Sequence, residues 1–206
     1  VLAVQGRIVP STLEDVTLVA DLRHAKTQDT APSGLTRVQG ESAIPKAGQP
    51  IERVFLLPDG VRAYPEAVRA ILDADLVVAG PGSLYTSGLR YGLGRDIRGA
   101  VAASPGLKVY VCNVATEPGE TEGFDVGEHV SALQQHVGRG LFPCVLANNN
   151  PISSPQHPHL KPVALNYPPG DGYEVIAADL IDPDAPWRHD STKLADQILA
   201  HLSSPP

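Results

Sequence analysis

Small and hydroxyl-bearing residues are concentrated directly after an apolar run at residues 76–79. This segment holds Gly80, Pro81, Gly82, Ser83, Thr86 and Ser87. The backbone N–H groups of small residues can approach a ligand closely, and the hydroxyls add further donors, so this chemistry suits an anion such as phosphate. Because ligands of open α/β sheets bind beyond the carboxyl ends of the strands, we predict an anion-binding loop here. A tight turn without a ligand is the alternative.

Polar side chains also follow the next two predicted strands. Asn113 and Thr116 come after residues 108–112, and Asn148 and Asn149 come after residues 144–147. In a parallel sheet the corresponding strand ends lie along one edge, so the three loops are expected to surround a common site.

Two further segments carry groups that could take part in chemistry. Glu120, beside a turn glycine, could act as a general base or accept a ribose hydroxyl. The alternative is that it is a cap or a solvated charge. Arg188 and His189 precede the last predicted helix, where they could meet a phosphate or a base. The alternative is that Asp190 caps that helix and its neighbours are solvated.

Composition restricts the classes of partner. The chain has 206 residues, with 16 Lys and Arg against 23 Asp and Glu, giving a net charge of −7. This balance argues against a nucleic-acid surface but allows a nucleotide or a sugar phosphate held by local loops. Histidine spacing suggests no metal site, and no nucleophile-elbow pattern is present.

The cellular setting is expected to be the cytoplasm. Cys112 and Cys144 lie in apolar runs, which favours buried free thiols in a reducing compartment. No run approaches the roughly 18 apolar residues of a membrane span. The chain begins with Val1 and contains no methionine, and we interpret it as a fragment of a longer protein, forming a single α/β domain over residues 1–206.

Two kinds of secondary structure are expected along the chain. Strands are predicted at residues 7–10, 16–22 and 51–56, and residues 24–40 are interpreted as a flexible hairpin insertion. Beyond them, helices and strands alternate. The predicted helices span residues 65–72, 96–103, 127–137 and 191–202, and the predicted strands span residues 76–79, 108–112, 144–147 and 173–180. This alternation predicts a mainly parallel sheet covered on both faces.

Several motifs together resemble one family. They are Pro10-Ser11-Thr12-Leu13-Glu14-Asp15-Val16, Gly40-Glu41-Ser42-Ala43-Ile44, Ala79-Gly80-Pro81-Gly82-Ser83-Leu84-Tyr85-Thr86-Ser87, Val111-Cys112-Asn113-Val114, Pro118-Gly119-Glu120-Thr121 and Arg188-His189-Asp190. In order and over nearly the whole chain, they resemble the YvcK/CofD-like family, and its YvcK (gluconeogenesis factor) branch more closely. The resemblance implies a three-layer, Rossmann-like α/β/α fold. It also implies binding of UDP-sugars such as UDP-N-acetylglucosamine, and a regulatory role in cell shape and gluconeogenic growth, without a cofactor and in a possible homo-oligomer.

The resemblance also implies ligand contacts at particular positions. Residues 80–83 match the family's second phosphate-side loop, Asn113 and Thr116 match the following polar loop, and Arg188 matches a ligand-linked arginine. The family's N-terminal glycine-rich segment has no counterpart here, and residues 86–91 and 151–172 depart from the family pattern. Two other functions stay open. One is the CofD-type 2-phospho-L-lactate transferase of deazaflavin coenzyme synthesis, in which positioning and charge neutralisation would supply most of the catalysis. The other is a degenerate binding domain.

Overall fold

A four-stranded parallel sheet forms the centre of the molecule. The computed structural model describes residues 6–23, 34–89, 94–150, 161–170 and 172–202. The strands of this sheet, in spatial order, are β4 (Leu76–Ala79), β5 (Leu107–Val111), β6 (Cys144–Asn148) and β7 (Glu174–Ala178). All neighbouring pairs are parallel. The four predicted strands are therefore confirmed, with ends that differ by one or two residues.

A separate antiparallel sheet precedes it along the chain. It consists of β1 (Thr17–Arg23), β2 (Leu35–Gln39) and β3 (Ile51–Leu57), in the order β2-β1-β3. The central strand is buried along most of its length because both of its edges are paired and its Leu18, Ala20 and Leu22 belong to the main core.

Two predictions in this part of the chain need correction. Residues 35–39, predicted as part of a flexible insertion, form strand β2 and pair with β1. The strand is only partly buried, so its sequence shows a weak apolar signal. Residues 24–33 of that prediction lie outside the described residues. Residues 7–10 form no strand, and Ile8 is 80 % exposed.

The helices begin where their sequences supply suitable first-turn residues. Helix α1 (Pro65–Leu72) starts with a proline, whose missing N–H is not needed in the first turn, and α2 (Arg95–Ala103) follows β4. Helix α3 (Val126–Val137) begins with a capping box between Asp125 and Glu128. Helix α4 (Ser191–Leu202) is capped by Asp190, whose carboxylate accepts the N–H groups of Thr192 and Lys193. The four predicted helices are confirmed.

Helices cover both faces of the parallel sheet. One face contributes Tyr110, Val145 and Ala147 to a core shared with α3 and the antiparallel sheet. The opposite face packs Val109 and Leu146 against α4. This three-layer arrangement confirms the predicted α/β class.

The structure shows the state of the two cysteines and the character of the helices. Cys112 and Cys144 are buried free thiols, as predicted, and burial raises the pKa of Cys112 to about 12. None of the helices in the described ranges has the length and apolar character that a bilayer crossing requires.

Candidate functional site

A cleft of about 430 Å³ lies at the carboxyl ends of β4 and β5. The structure brings together there six residues that the sequence singled out, namely Pro81, Gly82, Asn113, Thr116, Arg188 and His189. Val114, Ala115, Glu117 and Trp187 complete its lining. The three contributing segments follow β4, follow β5 and precede α4, so residues distant in sequence share one wall. We call this the rim cleft.

The loops after β4 and β5 are joined by a polar network around Asn113. The Asn113 Oδ1 accepts the Gly82 N–H at 3.3 Å, and its Nδ2 donates to Glu117 Oε1 at 3.3 Å. Burial raises the pKa of Glu117, while a hydrogen bond from the Ser83 side chain opposes that effect. The network fixes the loop that carries Gly82 and places a carboxyl group in the cleft wall.

The segment before α4 supplies a cation, an imidazole and an aromatic ring. Arg188 is exposed, and its backbone is held in a turn. Its N–H donates to the Ala185 carbonyl, and its carbonyl accepts the Asp182 N–H. His189 Nε2 donates to the Cys112 carbonyl at 3.2 Å, because a carbonyl can only accept. Burial lowers the pKa of His189, so the ring is neutral at pH 7. Only Arg188 and His189 of this segment were singled out from the sequence as ligand contacts.

Glu117 and Trp187 are cleft residues that sequence reasoning did not single out. Glu117 follows Asn113 by four residues in the same polar loop, and Trp187 is the one tryptophan of the chain, beside Arg188. A weak signal was therefore present in both cases. The position of a residue in a loop sequence does not show which way its side chain faces, because that direction depends on the conformation of the loop.

Glu120 holds the segment that follows the Gly80-Pro81-Gly82-Ser83 loop. Its carboxylate accepts the N–H groups of Tyr85 (3.1 Å) and Thr86 (3.4 Å) and the Thr86 hydroxyl (2.6 Å). These groups belong to the first turn of a π-helical segment at Leu84–Leu89. The side chains of Glu120 and Thr86 are buried, and neither residue lines the rim cleft. The contacts correspond to the capping alternative for Glu120.

Five other predicted site residues lie outside the cleft lining, namely Gly80, Ser83, Ser87, Asn148 and Asn149. Gly80 has φ +89°, and a Cβ at this position would lie 2.8 Å from the Val111 carbonyl oxygen, so this glycine lets β4 and β5 approach each other at their ends. The Asn148 Oδ1 accepts the Leu180 N–H, and the Asn149 Nδ2 donates to the Ala177 carbonyl. Both amides therefore tie β6 to the segment around β7. Ser87 is exposed.

A parallel sheet covered on both faces, with a polar cleft at the carboxyl ends of its strands, defines a three-layer, Rossmann-like α/β protein. The family model described as 2-phospho-L-lactate transferase CofD matches residues 1–181, and the chain belongs to this CofD family.

Its curated relatives carry the name gluconeogenesis factor. One from Halalkalibacterium halodurans is 41 % identical over 214 residues, covering 97 % of this chain and 61 % of the relative. Another, from Bacillus subtilis, is 41 % identical over 152 residues, covering 74 % of this chain and 45 % of the relative. These names support the gluconeogenesis-factor branch of the family.

The same architecture occurs in a crystal structure of protein BH3568 from Bacillus halodurans. The match has a TM-score of 0.81 at 34 % identity and covers 95 % of this chain and 62 % of that one. The chain thus spans about half to three fifths of the length of these relatives.

Proposed function

We propose that this chain is a cytoplasmic regulatory protein that binds a nucleotide-sugar of the UDP-N-acetylglucosamine type in the rim cleft and is linked to cell shape and gluconeogenic growth. The observation that carries the proposal is the meeting of an exposed cation, Arg188, with the Gly82 loop and the Asn113 amide in one cleft. Membership of the CofD family and the names of the curated relatives support it.

Different residues of the cleft suit different parts of a nucleotide-sugar. Arg188 is suited to the diphosphate, because a guanidinium pairs with phosphate oxygens through two parallel hydrogen bonds. Trp187 offers an aromatic face on which a base can stack. Glu117 offers carboxyl oxygens for sugar or ribose hydroxyls. A regulatory rather than catalytic role needs no further chemistry from these residues.

Titration of the full-length protein with UDP-N-acetylglucosamine, UDP-glucose, UDP and GDP tests the proposal. Arg188→Ala should weaken UDP-sugar binding by about 1.5–3 kcal/mol, since it removes a charge-assisted hydrogen bond. Arg69→Ala is the matched control, because Arg69 is exposed on α1, away from the cleft. Equal affinity of the two variants would remove Arg188 from the site, and no binding of any UDP compound would refute the proposal.

Gly82 gives an independent test of the loop. A Cβ there meets only the Ser87 Cβ at 3.8 Å, so a side chain has room on the cleft wall, but the φ of +158° strains any residue other than glycine. Gly82→Val should therefore lower the stability by about 1–3 kcal/mol through this strain, and the folded variant should lose ligand binding. Full binding by a folded Gly82→Val variant would contradict the close approach of ligand to this loop.

The transferase reading remains the second candidate, because the matching family model describes a 2-phospho-L-lactate transferase. In that case Arg188 would neutralise a phosphoryl group and the loops would supply positioning. Binding of GDP in preference to UDP compounds, with transfer of a phospholactyl group, would favour this reading over the regulatory one.

A further inference from the structure

A larger cavity of about 920 Å³ lies between strand β3, the start of α2 and the end of α3. None of the residues that line it lines the rim cleft. Its charged lining consists of Arg37, Arg53, Arg95, Arg98, Glu52 and Asp59. Four arginines against two carboxylates depart from a chain whose net charge is −7.

Two of the arginines are held in place by one buried carboxylate. Arg37 and Arg53 both bind Asp21, each with an Nε to carboxylate distance of 2.8 Å. Asp21 is 3 % exposed, and the hydrogen bond from Arg37 is the largest influence holding its pKa below the ordinary value. The guanidinium carbons lie 5.0 Å and 5.5 Å from the centre of the Phe55 ring. One carboxylate cannot neutralise two guanidiniums, so this cluster keeps a positive charge.

The guanidinium groups of Arg37 and Arg53 are accessible to a ligand. Their side chains remain 54 % and 61 % exposed although both are anchored on Asp21 and Phe55. An anchored guanidinium loses less conformational freedom when it binds an anion than a freely moving one does.

The other two arginines lie one turn apart on α2. Arg98 donates one hydrogen bond, from Nη1 to the His136 carbonyl at 3.0 Å. The Arg95 side chain makes no hydrogen bond or ion pair within the described part of the chain. Across the cavity, Glu52 is already paired with Arg23. The cavity is therefore positively charged, and its cations come from three structural elements, β2, β3 and α2.

We propose that this cavity is a second ligand site, distinct from the rim cleft, for a small organic phosphate carrying at least two negative charges. Planar guanidinium forks from strands β2 and β3 and from α2 suit the several oxygens of a phosphate group, which accept paired N–H donors. The volume lies in the range of small-molecule pockets. The backbone and apolar atoms of residues 54–57 supply a floor for the organic part.

Calorimetric titration of the full-length protein with inorganic pyrophosphate, and separately with citrate, tests this site. We expect pyrophosphate to bind more tightly than citrate, and Arg95→Gln to weaken it by about tenfold. Arg95 is the preferred position because its loss breaks no side-chain hydrogen bond or ion pair among the described residues. The double variant Arg95→Gln/Arg98→Gln should weaken binding further. Because Arg188 is proposed to bind a diphosphate in the rim cleft, Arg188→Ala should remove any second pyrophosphate site there and leave the site at this cavity intact. Arg69→Gln is the charge-matched control.

The outcomes separate the cavity from the rim cleft. Loss of pyrophosphate binding in Arg95→Gln but not in Arg188→Ala supports the cavity, whatever becomes of UDP-sugar binding. Loss in Arg188→Ala alone moves the probe to the rim cleft and overturns the proposal. Equal effects of Arg95→Gln and Arg69→Gln show unspecific charge attraction and overturn it too, as does the absence of pyrophosphate binding. Citrate binding as tight as that of pyrophosphate overturns the phosphate assignment.

Discussion

The carboxylate of Glu120 should be one of the largest single contributors to stability around the rim cleft. It is 6 % exposed and accepts two backbone N–H groups and one hydroxyl from Tyr85 and Thr86. Glu120→Ala would leave these three donors in a buried place without an acceptor. Glu120→Gln would keep an oxygen for the N–H groups and lose the charge.

The magnitude follows from the number of donors. A buried donor left without a partner costs about 1–3 kcal/mol, and hydrogen bonds to charged groups contribute about 1.5–3 kcal/mol. Because water can enter the space left by the side chain, we expect Glu120→Ala to cost about 3–5 kcal/mol rather than the full sum. Glu120→Gln should cost about 1–2 kcal/mol. For a chain of this length, 1 kcal/mol corresponds to about 2–4 °C in Tm, so Glu120→Ala should lower Tm by about 10 °C.

Urea unfolding followed by circular dichroism measures these differences. Glu122→Ala is the matched control, since Glu122 is exposed two residues further along, and it should stay within about 0.5 kcal/mol of wild type. Thr86→Val should lose part of the same stability, and its effect should not add to that of Glu120→Ala, because the two side chains share a hydrogen bond. If Glu120→Ala and Glu122→Ala unfold at the same urea concentration, the hydrogen bonds that Glu120 accepts are not a source of stability.

Two other features give predictions of stability. Gly119 and Gly123 both have φ +80°, but a Cβ at Gly119 would overlap the Pro45 carbonyl oxygen, whereas at Gly123 nothing lies within 4 Å. Thermal unfolding should therefore show a much larger loss for Gly119→Ala than for Gly123→Ala, and similar losses would contradict the close approach. Burial lowers the pKa of His136, so below about pH 6.5 the unfolded chain binds a proton that the native protein resists. Stability should fall as the pH drops from 6.5 towards the native pKa, by up to about 1.4 kcal/mol per pH unit from this side chain, and His136→Gln should reduce the slope of urea-derived stability between pH 8 and 5. An unchanged slope would assign the acid sensitivity to other groups.

The elements that alternate between helix and strand were predictable because each carries a strong local signal. Residues 76–79 and 144–147 are short apolar runs, and residues 65–72 begin with a proline and repeat apolar side chains at helical spacing. The alternating order of these helices and strands also predicts that the loops after the strands lie along one edge of the parallel sheet. That order is enough to predict that Gly82, Asn113 and Thr116 lie near one another, and all three line the rim cleft.

The sequence signal was weaker where contacts join distant segments. Strand β2 pairs with β1, but it buries little apolar surface, and its partner lies across residues that look like an insertion. Glu120 and Thr86 are polar residues in loops, and nothing local shows that each is the other's partner 34 positions away. Gly80 resembles a ligand-approach glycine, although its Cβ position faces the neighbouring strand.

The arginine-lined cavity was the feature least accessible from sequence. Arg37, Arg53, Arg95 and Arg98 are scattered over 61 positions and form no basic run. They come together because β2 and β3 both pair with β1 and because α2 and α3 pack nearby. Such a cluster is a property of the tertiary structure alone.

The imidazole of His136 also covers a backbone donor on an edge strand. Strand β3 is an edge of the antiparallel sheet, and its Val54 N–H donates to His136 Nε2 at 3.0 Å, while Nδ1 donates to the Ala132 carbonyl at 2.7 Å. An edge strand with free N–H groups is a template for pairing with another chain. The side chain therefore occupies, in the middle of this edge, a group that a second molecule would otherwise use. Loss or protonation of His136 would free this N–H, and we expect either change to increase the tendency of the protein to aggregate.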